Sequence, residues 1–254
     1  MTPIEPAFVD ALGHRIAIQV TAAGSGTPLL LLNGLTRSLE AWAPLVTELA
    51  GHGRRLIAFD PPGVGLTAAL PLPLSIPAVA RLVCAVLDAV GVDRADVLGF
   101  SYGGAVAQQL SADAPERIRG LVLVSTACGL GATPADNALP WFAGAGSGEP
   151  EGPESEWSRV LWWQLPGIAT WSGIPILGRI TAPTLVVCGA DDHVLPPVNS
   201  RILARRIRSA TLVELPGGHD QAGAKYAPRL AATVANFLND IDTSEGDTAA
   251  LSFG

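Results

Sequence analysis

A serine placed between two glycines is the feature that most constrains the fold of this chain. An apolar run at residues 95–100 leads to Ser101, and Gly99 and Gly103 flank the serine two residues away on each side. A segment of small residues, 104–110, follows and predicts a helix. This G-x-S-x-G pattern between a strand and a helix is typical of a strained turn that exposes the serine hydroxyl beside a helix N-terminus. Glycines leave the room that so tight a turn needs.

Short apolar runs alternate with helical patterns along much of the chain, which is typical of a mostly parallel sheet covered by helices on both faces. An antiparallel strand is predicted first, at residues 15–22. The parallel strands are predicted at 28–32, 55–59, 95–100, 118–125, 184–187 and 211–215. The helices are predicted at 41–49, 77–90, 104–110, 197–207 and 228–239.

The alternation stops between residues 130 and 180, where the chain is rich in Gly, Pro, Ser, Glu and Trp and has little regular period. We interpret residues 1–129 and 181–240 as one core domain and residues 130–180 as a short inserted lid. The polar, small residues at 241–254 predict a flexible tail. A length of 254 residues suits a single α/β domain with a large core.

Composition and charge exclude several classes of protein. Hydrophobic residues make up 48% of the chain and charged residues 15%, which is typical of a folded globular protein. The formal net charge of −7 argues against nucleic acid or an anionic membrane surface as a partner. The apolar runs are too short for stable insertion into a membrane, and the N-terminus lacks the pattern of a secretion signal.

The cysteines are three in number, widely spaced and set in apolar segments, and they predict buried thiols in a reducing compartment: Cys84, Cys128 and Cys188. We therefore expect a cytoplasmic protein. The cysteines do not have the spacing of metal ligands, and the glycines at 63 and 65 lack the Lys-Ser/Thr of a phosphate-binding loop. No cofactor or metal is expected.

Two polar loops in the second half of the chain follow predicted strands. Residues 189–196 contain two adjacent aspartates, and residues 216–220 contain His219. Because parallel strands place their carboxyl ends at one edge of the sheet, both loops are expected beside Ser101. A serine hydroxyl becomes a strong nucleophile when an imidazole takes its proton, and a carboxylate holds that imidazole in the required tautomer.

The chain has four histidines that compete for the role of base. His219 follows a Gly-Gly turn at the end of the last predicted strand, so we assign the role to it. His193 lies next to the aspartates and cannot easily reach over them to the serine. His14 and His52 lie in glycine-containing turns and are expected at the surface.

Acyl transfer also needs two N–H groups that point at the oxygen on which negative charge develops. One is expected to be the backbone N–H of Tyr102, directly after the serine. The other is expected in the loop after the first parallel strand, at Leu35, where Gly34 permits a close approach of the backbone. Asn33 either orients this loop through its side chain or is an ordinary turn residue.

Taken together, these motifs resemble those of the α/β-hydrolase superfamily over roughly residues 15–129 and 180–239. The resemblance rests on residues 32–34, 60–65, 99–104, 192–196 and 218–219, and on the chain order serine, aspartate, histidine. Residues 33–34, 59–65 and 196–207 are also similar to intracellular medium-chain polyhydroxyalkanoate depolymerases and related esterases. The resemblance implies the α/β-hydrolase fold and hydrolysis of a carboxylic ester.

The resemblance also distinguishes between the two aspartates. The superfamily usually places the acid four residues before a proline, which here is Pro196, so Asp192 is implied as the acid. Asp191 is then a turn or capping carboxylate. Asp220 stands where an apolar residue is common in the superfamily, and we expect it to be exposed to solvent or to cap a turn.

Five of the six tryptophans lie in the predicted lid: Trp141, Trp157, Trp162, Trp163 and Trp171. They predict either an apolar wall that receives an acyl or alkyl chain, or a small core that the lid needs for its own stability. On the first interpretation, Trp162 and Trp163 bind substrate together with Asn33 and Gly34.

The leading hypothesis is therefore a serine hydrolase that cleaves a small apolar ester, thioester, lactone or hydroxyalkanoate oligomer. Ser101 would attack, His219 would relay the proton, and Asp192 would support the histidine. A second hypothesis keeps this triad but makes the protein a carbon–carbon bond hydrolase or a perhydrolase-like member of the superfamily. A third is a binder of small molecules that retains the fold without catalysis.

Overall fold

The computed structural model describes residues 6–21, 24, 26–129 and 154–251, with side chains described outside 154–161 and 247–251. Its strands are β1 Ala7–Ala11, β2 His14–Val20, β3 Leu29–Leu32, β4 Leu56–Phe59, β5 Ala95–Phe100, β6 Ile118–Val124, β7 Thr184–Gly189 and β8 Ala210–Leu215. In the described part of the chain they form one eight-stranded sheet in the order β1-β2-β4-β3-β5-β6-β7-β8.

The sheet is mostly parallel, as predicted. Strands β1 and β2 form an antiparallel hairpin, and β2 also pairs antiparallel with β4. The pairings from β4 through β3, β5, β6 and β7 to β8 are all parallel. Every residue of β3, β5, β6 and β7 is buried, because helices cover both faces of the sheet. This explains why these strands are continuous apolar runs in the sequence.

The helices are α1 Ala43–Leu49, α2 Ile76–Ala89, α3 Tyr102–Asp113, α4 Glu154–Ala169, α5 Pro197–Arg206 and α6 Ala227–Leu251. Successive strand residues point into two different cores. On one face, Leu30 and Leu32 pack in a core with α2 and α3. On the other face, Leu29 and Leu31 pack in a core with α1 and α6. Strand β5 lies between β3 and β6 near the centre, so its carboxyl end is surrounded by other strand ends.

The last residues of the predicted lid contact the core domain. Trp171 is only 6% exposed, and its Nε1 donates a hydrogen bond of 2.7 Å to Oε1 of Gln109 on α3. Gly173 donates its N–H to the carbonyl of Cys128, and Leu177 is fully buried. Residues 171–180 therefore pack on the core domain. Most of the rest of the predicted lid, residues 130–153, lies outside the described residues.

The last helix is longer than predicted. Helix α6 runs to Leu251, past residue 239, where the sequence pattern ends it, so residues 241–251 of the predicted tail are helical. Asp242 of this helix forms ion pairs with Arg54 and Arg119, and Glu245 pairs with Arg94. These partners lie far away in the sequence, so the local composition gave no sign of them. No helix among the described residues is long and apolar enough to cross a membrane.

A buried ionic cluster connects the sheet to this helix. Asp96 of β5 is fully buried and accepts hydrogen bonds from Arg54 Nη1 at 3.2 Å and from Arg119 Nη2 at 2.6 Å. Burial raises the pKa of Asp96, and the two guanidinium groups oppose that rise. The side chains of Arg54 and Arg119 are only 5% and 3% exposed, so each needs its carboxylate partner.

Asp96→Asn is expected to lower the free energy of unfolding by about 2 kcal/mol or more, because the two buried arginines lose their fully buried counter-charge and retain half-exposed partners such as Asp242. The measurement is urea denaturation. Asp88→Asn is the matched control, since Asp88 pairs with Arg117 through a carboxylate that is 66% exposed. The control is expected to cost less than about 1 kcal/mol. Equal losses in the two variants would contradict the expected role of the buried cluster.

Candidate active site

Ser101 lies in a strained turn between β5 and α3. Its φ is 52° and its ψ is −114°, a conformation that non-glycine residues rarely adopt. The turn is held by the neighbouring strand: the Ser101 N–H donates to the Val124 carbonyl at 2.9 Å, and the Ser101 carbonyl accepts from Thr126 Oγ1 at 2.7 Å. Hydrogen bonds at both ends of the residue therefore maintain its strained backbone.

The glycines of the G-x-S-x-G pattern are required by close backbone packing. A β-carbon at Gly99 would collide with the carbonyl of Gly103, and one at Gly103 would collide with the carbonyl of Leu32 at the end of β3. Gly104 lies equally close to the side chain of Thr126. Helix α3 can begin this near the strand ends only because these positions carry no side chain.

His219 lies in the loop after β8 and reaches the serine. Its Nε2 is 3.1 Å from Ser101 Oγ, and its Nδ1 is 2.9 Å from Asp192 Oδ2. An ionised carboxylate only accepts hydrogen bonds, so the proton belongs on Nδ1 and Nε2 is free to accept from the serine hydroxyl. The imidazole also packs against the Phe100 ring, with ring centroids 5.3 Å apart.

Asp192 lies in the loop after β7 and is 2% exposed. While its Oδ2 faces the histidine, its Oδ1 accepts hydrogen bonds from the N–H groups of Val194 and Leu195, both at 2.9 Å. The neighbouring Asp191 is exposed, and its N–H donates to the Gly217 carbonyl. The structure thus places Asp192, rather than Asp191, next to the histidine.

The other three histidines lie elsewhere. His193 and His52 are exposed, and His14 is half-buried in the β1–β2 hairpin. Of the four, His219 is the one that the structure brings to Ser101. Among the described residues, no group of three or more His, Cys, Asp or Glu side chains could hold a metal ion.

The loop after β3 lies against the serine turn. A β-carbon at Gly34 would lie 3.0 Å from the Phe100 ring and 3.4 Å from Ser101 Cβ, so this position is in contact with the candidate nucleophile. Asn33 orients the loop, since its Nδ2 donates to the Ser38 carbonyl at 2.6 Å. Leu35 follows directly and packs against the core. The backbone thus passes the serine closely at Gly34, one residue before the expected second N–H donor.

Tyr102 begins α3, so its backbone N–H is one of those at the helix N-terminus. Its side chain is 6% exposed, and burial raises the pKa of the phenol. The loop at residues 60–67 lies beside Tyr102, since Pro61 and Pro62 line one pocket together with it. Its Asp60 is 1% exposed and accepts from the N–H groups of Leu39 and Leu66 at 2.8 and 2.9 Å.

A small pocket opens beside Tyr102 and contains one of the two tryptophans predicted to bind substrate. Trp163 of α4 lines this pocket and contacts Gly63. Trp162 is 70% exposed, so its ring is open to solvent and its role in binding stays a prediction. Six of the nine lining residues are leucine, proline or valine, and the full lining consists of Pro61, Pro62, Leu70, Leu72, Leu74, Val79, Tyr102, Trp163 and Gln164.

Sequence reasoning missed two contacts near the site. Gln164 of α4 is 3% exposed, and its Oε1 accepts a hydrogen bond of 2.7 Å from the N–H of Thr36. Asp220 is not simply a solvent-exposed carboxylate: it forms an ion pair of 2.7 Å with Arg37, whose guanidinium lies over the Phe100 ring. Both contacts join distant parts of the chain. The one sign in the sequence of the second contact is that Asp220 stands where the superfamily commonly has an apolar residue.

A family model for the alpha/beta hydrolase fold matches residues 27–162 of the chain. The chain is similar to the poly(3-hydroxyalkanoate) depolymerase of Ectopseudomonas oleovorans, with 34% identity over 221 residues that cover 76% of this chain and 78% of that protein. It is also similar to the 2-hydroxymuconate semialdehyde hydrolase of Pseudomonas sp. strain CF600, with 26% identity over 285 aligned positions that cover 96% of both chains.

Among solved structures, the enol-lactonase from Burkholderia xenovorans LB400 is similar to this chain with a TM-score of 0.76 and 23% identity. The match covers 92% of this chain and 100% of that chain. At this identity the likeness concerns the fold alone, and it agrees with the mostly parallel sheet.

The geometry makes the serine's reactivity testable. A serine-directed fluorophosphonate is expected to label Ser101, because His219 Nε2 is positioned to take the hydroxyl proton. His219→Asn is expected to slow labelling by about 100-fold or more, the usual contribution of a positioned base. The rate is measured by intact mass spectrometry. His193→Asn serves as the control and is expected to label at the unmodified rate. Equal labelling of the two variants would contradict the assignment of His219.

Proposed function

Since the chain belongs to the α/β-hydrolase family, we propose that it hydrolyses a carboxylic ester bond through an acyl-serine intermediate. The observation that carries the proposal is the hydrogen-bonded row from Ser101 through His219 to Asp192, with distances of 3.1 and 2.9 Å. Such a hydrogen-bonded Ser-His-Asp arrangement lets the histidine take the hydroxyl proton, so that a weakly nucleophilic serine can attack an acyl carbon.

In the first step, Ser101 Oγ attacks the acyl carbon of the ester while His219 Nε2 takes its proton. The imidazolium formed is stabilised by Asp192, whose other oxygen is fixed by two backbone N–H groups. The tetrahedral intermediate then collapses, the carbon–oxygen bond to the alcohol breaks, and His219 gives its proton to the leaving oxygen. The acyl group remains on the serine.

In the second step, water attacks the acyl-serine and His219 takes a proton from that water. Collapse of the second tetrahedral intermediate releases the carboxylic acid and returns the proton to Ser101 Oγ. Both intermediates carry a negatively charged oxygen. We assign its stabilisation to hydrogen bonds from the backbone N–H groups of Tyr102 and Leu35. The contact of Gly34 with the serine turn supports this assignment, since Leu35 is the next residue along the chain.

We expect the acyl group of the substrate to be apolar and to occupy the pocket beside Tyr102, the residue after Ser101. The pocket beside Tyr102 is lined by leucine, proline, valine and tryptophan side chains, and such surfaces bind alkyl chains by removing them from water. Within the class of carboxylic esters, the proposal includes thioesters, lactones and hydroxyalkanoate oligomers. The similarity to a poly(3-hydroxyalkanoate) depolymerase supports the last of these.

The three thiols support a cytoplasmic location. Cys84 is half-buried, Cys128 and Cys188 are buried, and all three are free. Burial raises the pKa of each thiol. Free, largely buried thiols suit a reducing compartment, where no disulfide is needed.

Each step of the proposed reaction uses only protein groups and water.

A second candidate function is cleavage of a carbon–carbon bond with the same triad. The similarity to 2-hydroxymuconate semialdehyde hydrolase, which extends over 96% of both chains, favours this alternative. The two functions differ in the leaving group. An ester loses an alcohol whose oxygen takes the proton, whereas the substrate of a carbon–carbon hydrolase loses a group whose carbon atom takes the proton. Parallel assays on a p-nitrophenyl ester and on a cleavable vinylogous diketone distinguish them.

The proposal predicts activity on p-nitrophenyl esters from acetyl to dodecanoyl, with the highest kcat/KM at medium or long acyl chains that fill the apolar pocket. Ser101→Ala is expected to lower kcat by about 10⁴-fold or more, because the nucleophile is lost. Ser111→Ala is the matched control, since Ser111 is 1% exposed on the same helix but lies about three turns beyond the site.

A failure of the wild-type protein to hydrolyse any ester of the series would overturn the ester proposal. Diketone cleavage that depends on Ser101 would then establish the second candidate. If the protein binds the esters and the diketone but turns over neither, the result would support the third hypothesis, a non-catalytic binder of small molecules.

A further inference from the structure

Thr36 has a strained backbone one residue after the proposed second oxyanion donor. Its φ is 65°, in the left-handed region that a β-branched residue rarely adopts. Among the described residues, only three other non-glycine residues have a positive φ, and one of these is Ser101. Such conformations persist where surrounding contacts enforce them, and they concentrate at functional sites.

The peptide group between Leu35 and Thr36 is held at both of its ends. Its N–H, which belongs to Thr36, donates to Oε1 of Gln164 at 2.7 Å. Its carbonyl, which belongs to Leu35, accepts from the Thr36 hydroxyl at 2.6 Å. Gln164 is 3% exposed and lies 128 residues away in the sequence, on α4. The orientation of this peptide plane therefore depends on a side chain from α4.

Other contacts fix the two ends of the loop. Near its start, Gly34 packs against the Phe100 ring. Near its end, Leu39 donates its N–H to Asp60 at 2.8 Å. Gln164 holds the middle of the loop, where the strained residue lies. With Gly34 and the Leu35–Thr36 peptide both held, the peptide planes on either side of Leu35 have little freedom to rotate.

Helix α4 itself is firmly seated at this point. Gly167, one turn after Gln164, lies so close to the backbone of Leu74 that a β-carbon would collide with the Leu74 carbonyl. On the same stretch of helix, Trp163 packs on Gly63. These contacts fix the position from which the Gln164 side chain reaches the loop.

We propose that Gln164 is a positioning residue that aims the Leu35 N–H at the oxyanion, an inference that rests on the proposed function. An amide suits this task because it accepts a strong hydrogen bond without adding a negative charge. A carboxylate at the same place would lie near the oxygen on which negative charge develops and would oppose it. Helix α4 thus contributes to turnover through the loop, without contacting the reacting atoms.

The test replaces Gln164 by methionine, which has a similar length but a far weaker acceptor. In Gln164→Met, kcat for p-nitrophenyl butyrate is expected to fall by about 10- to 100-fold, less than the loss of a whole oxyanion donor. KM is expected to change by less than about threefold, because the group acts in the transition state. Affinity for butylboronic acid, which adds to Ser101 and places a boronate oxygen in the oxyanion site, is expected to fall by the same factor as kcat.

Gln109→Met is the matched control. Gln109 is 8% exposed, and its Oε1 accepts from Trp171 Nε1 at 2.7 Å, so the substitution also removes a buried acceptor. This bond, like that of Gln164, joins the segment after residue 153 to the core, but it does not touch the loop after β3. Both variants are expected to lose some thermal stability, whereas kcat and boronate affinity are expected to stay at the unmodified level in the control.

Each outcome decides a separate question. If the wild-type protein shows no hydrolysis that depends on Ser101, the proposed function fails and this inference fails with it. If the wild-type protein is active and Gln164→Met retains its kcat and boronate affinity, only the positioning role is overturned. Equal losses of kcat in both glutamine variants would also overturn it, because they would indicate general loosening. Should Gln164→Met fail to fold, Gln164→Asn withdraws the acceptor by one methylene and is read in the same way.

Discussion

Close backbone packing around Ser101 is the constraint on which the rest of the site depends. The absence of a side chain at Gly103 lets the start of α3 touch the carbonyl at the end of β3, and the absence of one at Gly99 lets the chain turn back on itself. Ser101 then takes its positive φ of 52°. The serine hydroxyl, a helix N-terminus and the loop after β3 are brought to one point at the edge of the sheet.

Hydrogen bonds that involve backbone groups hold the side chains that meet there. The N–H and carbonyl of Ser101 are bound by the end of β6 and by Thr126. One oxygen of Asp192 is bound by two N–H groups of its own loop, which leaves the other for His219. Groups that are fixed before substrate arrives need little rearrangement during a reaction, which is the condition for efficient electrostatic stabilisation.

The sequence was sufficient to predict the sheet and the row from Ser101 to Asp192, because both follow from local patterns. Strands buried on both faces are continuous apolar runs, and the polar loops that follow them must meet at one edge. The length of α6 was mispredicted, and the core contact of Trp171 was not foreseen, for the opposite reason. The partners of Asp242 and of Trp171 are Arg54, Arg119 and Gln109, and no local pattern connects residues so far apart.

The loop after β3 shows how far the site depends on such distant partners. Gln164 reaches it from 128 residues away, and Asp220, beside His219, reaches it from 183 residues away through Arg37. The residue next to Gln164 is Trp163, which lines the apolar pocket. A change in this part of α4 therefore acts on two properties at once, the shape of the pocket and the orientation of the loop. Under the proposed function, selection for a new acyl group would have to preserve Gln164 while its neighbours varied.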